Sequence, residues 1–222
     1  MLIETDEVNI VIDVGPDFRY QMLDAKVKRL DAVIITHEHN DHVIGLDDLR
    51  PLLFWKLKAG YTDGIKIHAE SRVLSEIRSR FKYGFEKSPY PGAPHFDIEE
   101  IKPNQAFKLG DVEFLPLRLM HGRLPILGFR IGKFAYLTDT NHIPEETLPF
   151  LQDLDILILD ALRKSNHHSH FNLEEAINAA EIINADKTYF THLSHLMGPT
   201  SEWEKMLPPK IYSAYDGLQF EL

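Results

Sequence analysis

Thr36-His37-Glu38-His39-Asn40-Asp41-His42 follows directly on the apolar run Ala32-Val33-Ile34-Ile35, and this junction governs the reading of the whole chain. A run that rich in β-branched residues reads as a buried strand, so the polar heptapeptide sits where that strand leaves its sheet. Side chains two apart on extended backbone point the same way, so His37 and His39 can hold one cation together. Asp41 and His42 follow where the chain turns and can face a second cation. Neutral imidazole with carboxylate suits zinc, manganese or iron(II). The bland alternative is a solvated polar loop. Ligand-type side chains seldom cluster this tightly by accident, and the stretch is read as a metal site.

Upstream, Val8 to Val14 reads as a strand closed by Asp13 and Gly15-Pro16, followed by a short helical pattern through Met22, Leu23 and Val27. Downstream, Gly45 to Pro51 reads as a helical turn, with a fresh helix starting at the proline. Ile65 to Ala69 alternates like a half-buried strand, and Arg72 to Phe81 has helical periodicity. Tyr83 to Pro94, rich in glycine, proline and aromatic residues, reads as a connection rather than a lid over a substrate. Asp111 to Met120 alternates, with Pro116 pointing to an edge or a bulge, and ends at His121-Gly122. Gly128–Ile131 and Phe134–Leu137 read as a hairpin ending at Thr138-Asp139. Asp155 to Leu159 is a buried-strand pattern ending at Asp160. Asn172 to Ala185 is the clearest helix, and Asn172 with Glu175 has capping-box spacing. Lys187 to Thr191 leads into His192, and Ile211 to Phe220 reads as a final hairpin across Asp216-Gly217. His37, His121, Asp139 and His192 therefore all stand where a predicted strand gives out. In a layered α/β fold such ends can converge on one rim.

The chain has 222 residues, 44% of them hydrophobic, enough for a substantial core, and residues 1–222 are read as a single domain. The formal net charge of −10 argues against an extended nucleic-acid surface or an anionic membrane surface. There is no cysteine, which excludes disulfides and thiolate ligands. No segment reads as a secretory signal or a membrane span, and the expected location is cytoplasmic.

The stretch Thr36 to His42 followed by Gly45 resembles the signature of the metallo-β-lactamase superfamily, and His121, Asp139 and His192 occur in that superfamily's order. Gly45-Leu46-Asp47-Asp48-Leu49-Arg50-Pro51, Asp13-Val14-Gly15-Pro16-Asp17-Phe18-Arg19 and Ser169-His170-Phe171-Asn172-Leu173-Glu174-Glu175-Ala176 are more narrowly similar to the cyclic-phosphodiesterase branch associated with phosphonate breakdown. The resemblance covers nearly the whole chain. It implies an α/β fold, a four-layer αββα sandwich, with two divalent metal ions at one edge. By position, His37, His39 and His121 would bind the first ion. Asp41, His42 and His192 would bind the second, and Asp139 would bridge both. His170 resembles the histidine placed beside the scissile phosphate, although His167 and His168 compete for that role. Family members usually carry a further N-terminal strand and a cysteine-rich segment, so the chain is expected to lack both. His195, which partners those cysteines in some members, would then have no structural zinc. An exposed sheet edge left in this way would favour a homodimer.

The expected function is a dinuclear metal-dependent hydrolase, a phosphodiesterase that opens a small cyclic sugar phosphate. Two cations about 3.5–4 Å apart would hold the attacking hydroxide and neutralise a phosphate oxygen. Asp41 would orient the second metal and the nucleophile, and His170 would protonate the leaving alkoxide or stabilise charge on the phosphoryl oxygens. The rival readings are a transfer-RNA 3′-end processing nuclease, a lactone or thioester hydrolase, and a non-catalytic metal-binding accessory protein.

Overall fold

The computed structural model describes residues 1–60, 64–86 and 92–221. Residues 87–91 of the proline-rich connection lie outside the described residues. Backbone contacts divide the chain into two compact units, Met1–Lys102 with Phe107–Val112, and Pro103–Ala106 with Glu113–Leu222.

The first unit holds β1 (Leu2–Glu4), β2 (Asn9–Ile12), α1 (Phe18–Asp24), β3 (Ala32–Ile34), α2 (Asn40–Val43), α3 (Arg50–Lys58), β4 (Lys66–Ala69), α4 (Ser71–Arg80), β5 (Asp97–Glu100) and β6 (Phe107–Leu109). Its sheet runs β1-β2-β3-β4-β5. β1 is antiparallel to β2, whereas β2, β3, β4 and β5 are mutually parallel. Parallel strands need crossovers and are covered by helices, which is why Ala32, Val33 and Ile34 are all buried. Val33 joins Val11, Phe18, Leu46, Ile67 and Ile77 in one apolar core. Pro51 stands in the first turn of α3, where its missing N–H costs nothing, so the helix starts at Arg50 after the 3₁₀ stretch Ile44–Leu49.

The second unit holds β7 (Val112–His121, all but its first residue), β8 (Leu124–Ile131), β9 (Phe134–Leu137), β10 (Ile156–Asp160), α5 (Leu173–Ile183), β11 (Lys187–Thr191), α6 (Thr200–Trp203) and β12 (Ile211–Ser213). Its strands run in the order β12-β11-β10-β9-β8-β7. β7 and β9 are both antiparallel to β8 and so share one direction; β10 and β11 follow it, being parallel to β9 and to each other. The core gathers Leu117, Leu137, Leu159, Ala176, Phe190 and Trp203. The predicted helix is present, and its capping box forms as read: Asn172 Oδ1 accepts from the Glu175 amide at 2.9 Å, and Glu175 Oε2 accepts from the Asn172 amide at 3.0 Å. The predicted C-terminal hairpin is corrected. Ile211–Ser213 pairs in parallel with β11 instead, and no described residue beyond Ser213 forms a strand. Asp216-Gly217 does make a turn, but the aromatic residues around it go elsewhere: Phe220 packs against Tyr189 of β11 at 4.9 Å between ring centroids.

Among the described residues, no helix is long and apolar enough to cross a membrane. One buried group makes acid stability measurable. His68 of β4 is 1% exposed, stacks on Phe107 at 5.6 Å, and neither ring nitrogen has a hydrogen-bond partner among the described residues. Burial holds its pKa below the ordinary 6.5, with Glu99 opposing and Lys66 reinforcing the shift. Below pH 6.5 the unfolded chain therefore binds a proton that the folded chain refuses. Stability is complete above that value and falls as the pH drops through it, by at most about 1.4 kcal/mol per pH unit. His68→Phe is expected to flatten this acid limb in urea melts at pH 8, 6 and 5. A variant as acid-sensitive as the parent would contradict the assignment.

Candidate metal centre

In the first unit the ligand-rich segment begins where β3 ends. The His37 and His39 rings lie 4.6 Å apart edge to face, and His37 and His42 lie 4.2 Å apart. His37 and His42 are buried, whereas His39 and Asp41 are exposed. Asp41 and His42 belong to α2, a single helical turn whose start is fixed by the extended backbone of His39.

Asp13, at the end of β2, organises this group. Its Oδ1 accepts from the Thr36 amide at 2.8 Å, and its Oδ2 accepts from the Thr36 hydroxyl at 2.9 Å. The same Oδ2 lies 2.8 Å from His42 Nδ1. A carboxylate there demands a donor, so His42 carries its proton on Nδ1 and turns the Nε2 lone pair outward, on the side where Asp41 Oδ2 lies 3.5 Å away. Such a carboxylate behind an imidazole is the usual support of a metal-binding histidine. The His37 Nδ1 lies 3.0 Å from the Thr36 hydroxyl. Two arginines of α4 hold the loop from outside: Arg72 pairs with the Glu38 carboxylate, and Arg80 donates to the Glu38 carbonyl at 2.7 Å and to Asn40 Oδ1 at 2.9 Å. Gly15 and Gly45 are required by close approach. A Cβ on Gly15 would meet the Asp41 carbonyl oxygen at 2.5 Å, and one on Gly45 would meet the Gly15 carbonyl oxygen at the same distance.

In the second unit the co-directed strands β7, β9, β10 and β11 end at or just before His121, Asp139, Asp160 and His192, so these side chains share one rim of the sheet. Ligands of α/β proteins bind at such C-terminal strand ends. Asp139 and His192 both leave their strands in the left-handed conformation, with φ of 57° and 59°, as Asp13 does at 61°. Each such residue costs roughly 1 kcal/mol or more, and strain of this kind gathers at functional positions. His192 Nε2 lies 3.4 Å from Asp139 Oδ1, which also accepts from the Thr138 hydroxyl at 2.7 Å. His121 Nδ1 is 3.0 Å from the Ser169 carbonyl, which fixes the proton on Nδ1 and leaves Nε2 as the ligand atom.

Asp160 is the buried hub of this unit, fully shielded from solvent. Both its oxygens lie 3.3 Å from His170 Nδ1, Oδ2 accepts from the Phe171 amide at 3.1 Å, and Oδ1 lies 3.6 Å from His192 Nδ1. Desolvation pushes its carboxyl pKa up, against the pull of the His170 hydrogen bond and of the charges of His170 and His192. The His170 ring stacks on that of His192 at 4.9 Å and 9°, and meets that of His121 at 4.5 Å edge to face. One ligand atom each from His121, Asp139 and His170, and likewise from Asp160, His170 and His192, lie within 4.8 Å of one another. His168 and His195 are exposed, and His195 opens a short 3₁₀ turn.

Within each unit, then, the structure brings the residues singled out from the sequence together. The sequence reading does not single out Asp13, Asp160 or Ser169 as site residues. The first two carry the same signal that marked Asp139, an acidic residue closing a predicted strand. Ser169 acts through its carbonyl, for which sequence has no sign.

Residues 8–193 match the family model described as Beta-lactamase superfamily domain. The crystal structure of a new diphosphatase from the PhnP family is 37% identical, with a TM-score of 0.89 over 100% of this chain and 83% of that one. The octanoyltransferase of Porphyromonas gingivalis (strain ATCC BAA-308 / W83) is 44% identical over 99% of this chain, which spans only 44% of that relative's length. The ribonuclease Z of Pyrobaculum islandicum (strain DSM 4184 / JCM 9189 / GEO3) is 23% identical over 91% of this chain and 84% of its own.

Proposed function

This chain belongs to the metallo-β-lactamase superfamily and, within it, to the PhnP family of metal-dependent hydrolases, and from that premise we propose that it cleaves a small phosphoric ester or anhydride at a two-cation centre. The two units act as one hydrolase domain. In this reading His37, His39 and His121 would hold one ion, Asp41, His42 and His192 a second, and Asp139 would serve both. The donor chemistry fits. His42 and His121 have their Nδ1 atoms engaged by Asp13 and by the Ser169 carbonyl, which presents Nε2 to a cation. A set of imidazoles and carboxylates without thiolate suits zinc, manganese or iron(II). When bound, such ions supply an acidified water and neutralise charge on a phosphoryl oxygen.

The chain's own side chains do the rest. The observation that carries the reading is the Asp160–His170 pair. An imidazole held through Nδ1 by a buried carboxylate has its tautomer and orientation fixed, and an imidazolium formed there can pass its Nε2–H to a departing oxygen. A departing alkoxide or phosphate needs that proton. Asp41, exposed beside His42, orients the attacking water. The PhnP-family diphosphatase extends the substrate class from cyclic sugar phosphates to diphosphates. The ribonuclease Z likeness is weighed down by the net charge of −10, which is unsuited to a polyanion. Most of the octanoyltransferase lies outside the match, so that relative's name gives little weight to acyl chemistry here.

The test is metal analysis followed by parallel assays on a cyclic ribose phosphate, a nucleoside diphosphate, an aryl phosphodiester and a thioester. Turnover of a phosphorus substrate at least about 100-fold above the thioester is expected. Faster thioester cleavage would overturn the assignment. No turnover with both ions bound would make the chain a metal-binding accessory protein.

A further inference from the structure

We propose that His167 is a substrate-binding residue that presents a fixed, uncharged N–H to an acceptor oxygen next to the scissile phosphoryl group, a role distinct from that of His170. The inference rests on the phosphoryl-hydrolase reading given above.

The segment between β10 and α5 is a braced frame. Arg163 donates from Nε to the Ser165 carbonyl at 3.1 Å and from Nη2 to the Asn166 carbonyl at 2.5 Å. Asn172 Nδ2 donates to Asn166 Oδ1 at 2.7 Å, and Asn141 Nδ2 donates to the His168 carbonyl at 3.3 Å. On this frame the His168 and His167 rings lie 4.4 Å apart, and the His167 and His170 rings 5.0 Å apart. His167 thus adjoins the imidazole assigned to the leaving group while remaining only half-buried.

The two neighbouring imidazoles are prepared in opposite ways. His170 Nδ1 faces carboxylate oxygens and must donate. His167 Nδ1 faces the Ser169 amide nitrogen at 3.4 Å and the Ser169 hydroxyl at the same distance. An amide N–H can only donate, so His167 Nδ1 must be the acceptor, and the proton of the neutral ring resides on Nε2. A second proton would displace that contact and would face His170, His168 and Arg163. Desolvation first, and then the electrostatic influence of those three neighbours, lower the His167 pKa accordingly. The carboxylate-backed ring is suited to proton transfer, and the amide-backed ring to recognition. A half-exposed donor beside the acid can reach a second phosphoryl group or a sugar hydroxyl, features shared by diphosphates and cyclic sugar phosphates.

Two variants test this: His167→Phe fills the space without a donor, and His167→Gln restores an N–H near the Nε2 position. The readouts are inorganic pyrophosphate binding to the metal-loaded proteins by calorimetry, KM and kcat on the aryl phosphodiester, and the imidazole ¹⁵N shifts of His167. The expected result is about tenfold weaker pyrophosphate binding in His167→Phe, the cost of one hydrogen bond to a charged group. His167→Gln should recover most of it, kcat should stay within about twofold of the parent, and the shifts should show the Nε2–H tautomer. Equal binding by all three proteins, no pyrophosphate binding by the parent, or an Nδ1–H tautomer would overturn the proposal. So would a fall in kcat at constant KM, which would move proton transfer to His167. Weaker binding in the Phe variant with no turnover by any protein would leave the binding role standing and remove the hydrolase reading alone.

Discussion

Replacing His170 with alanine is expected to lower kcat by about 10²–10⁴-fold while metal content stays at the parent's level. The ring is 8% exposed and lies on the strand-end rim beside His121 and His192, and its Nδ1 is committed to Asp160. Removing it takes away the proton for the leaving group and nothing from the proposed metal ligands. Loss should be largest for substrates with poorly stabilised alkoxide leaving groups and smallest for an aryl phosphodiester, whose phenolate departs without help. Asp160→Asn keeps the shape but removes the charge behind both His170 and His192. A fall of about 10–100-fold is expected there, below that of His170→Ala, because the acid remains but its cation is no longer stabilised. Undiminished turnover of a cyclic ribose phosphate by His170→Ala would reject the acid role.

Asp139→Ala is expected to leave fewer than one metal ion per chain after dialysis and to abolish activity. The carboxylate is 1% exposed, lies 3.4 Å from His192 Nε2, and sits on a residue held at φ 57°. A bridging carboxylate supplies a ligand to both ions and reduces their mutual repulsion, so its loss weakens both sites together. The fold itself should survive, since alanine gives up side-chain contacts such as those to the Thr138 hydroxyl and His192 Nε2 at the end of a strand, although the left-handed backbone suits it less than aspartate. Elemental analysis with circular dichroism separates these effects. Two ions per folded Asp139→Ala chain would contradict the bridge.

Most of the strands and helices were legible because their signals are local. The Val33 and Ile34 run, the alternation of β7 and the Asn172–Glu175 box each act over a few residues. The C-terminal hairpin was misread because Asp216-Gly217 has turn chemistry, while strand pairing is decided by what lies alongside. For Ile211–Ser213 that is the open edge of β11. The competition among His167, His168 and His170 had no local answer either. A carboxylate ten residues away singles out one ring, and a neighbouring amide prepares another.

The family is legible in the sequence, and so is the chemistry of the proposed ligands. His37 to His42 are consecutive, backbone alternation alone makes His37 and His39 neighbours, and imidazole with carboxylate admits few other uses. Which nitrogen His42 and His121 offer is set by the fold alone. Asp13 reaches His42 across 29 residues, and Ser169 reaches His121 across 48. Tautomer and aim belong to whatever group the fold sets behind an imidazole, and a partner brought in by strand order leaves no trace in the spacing of the residues it orients.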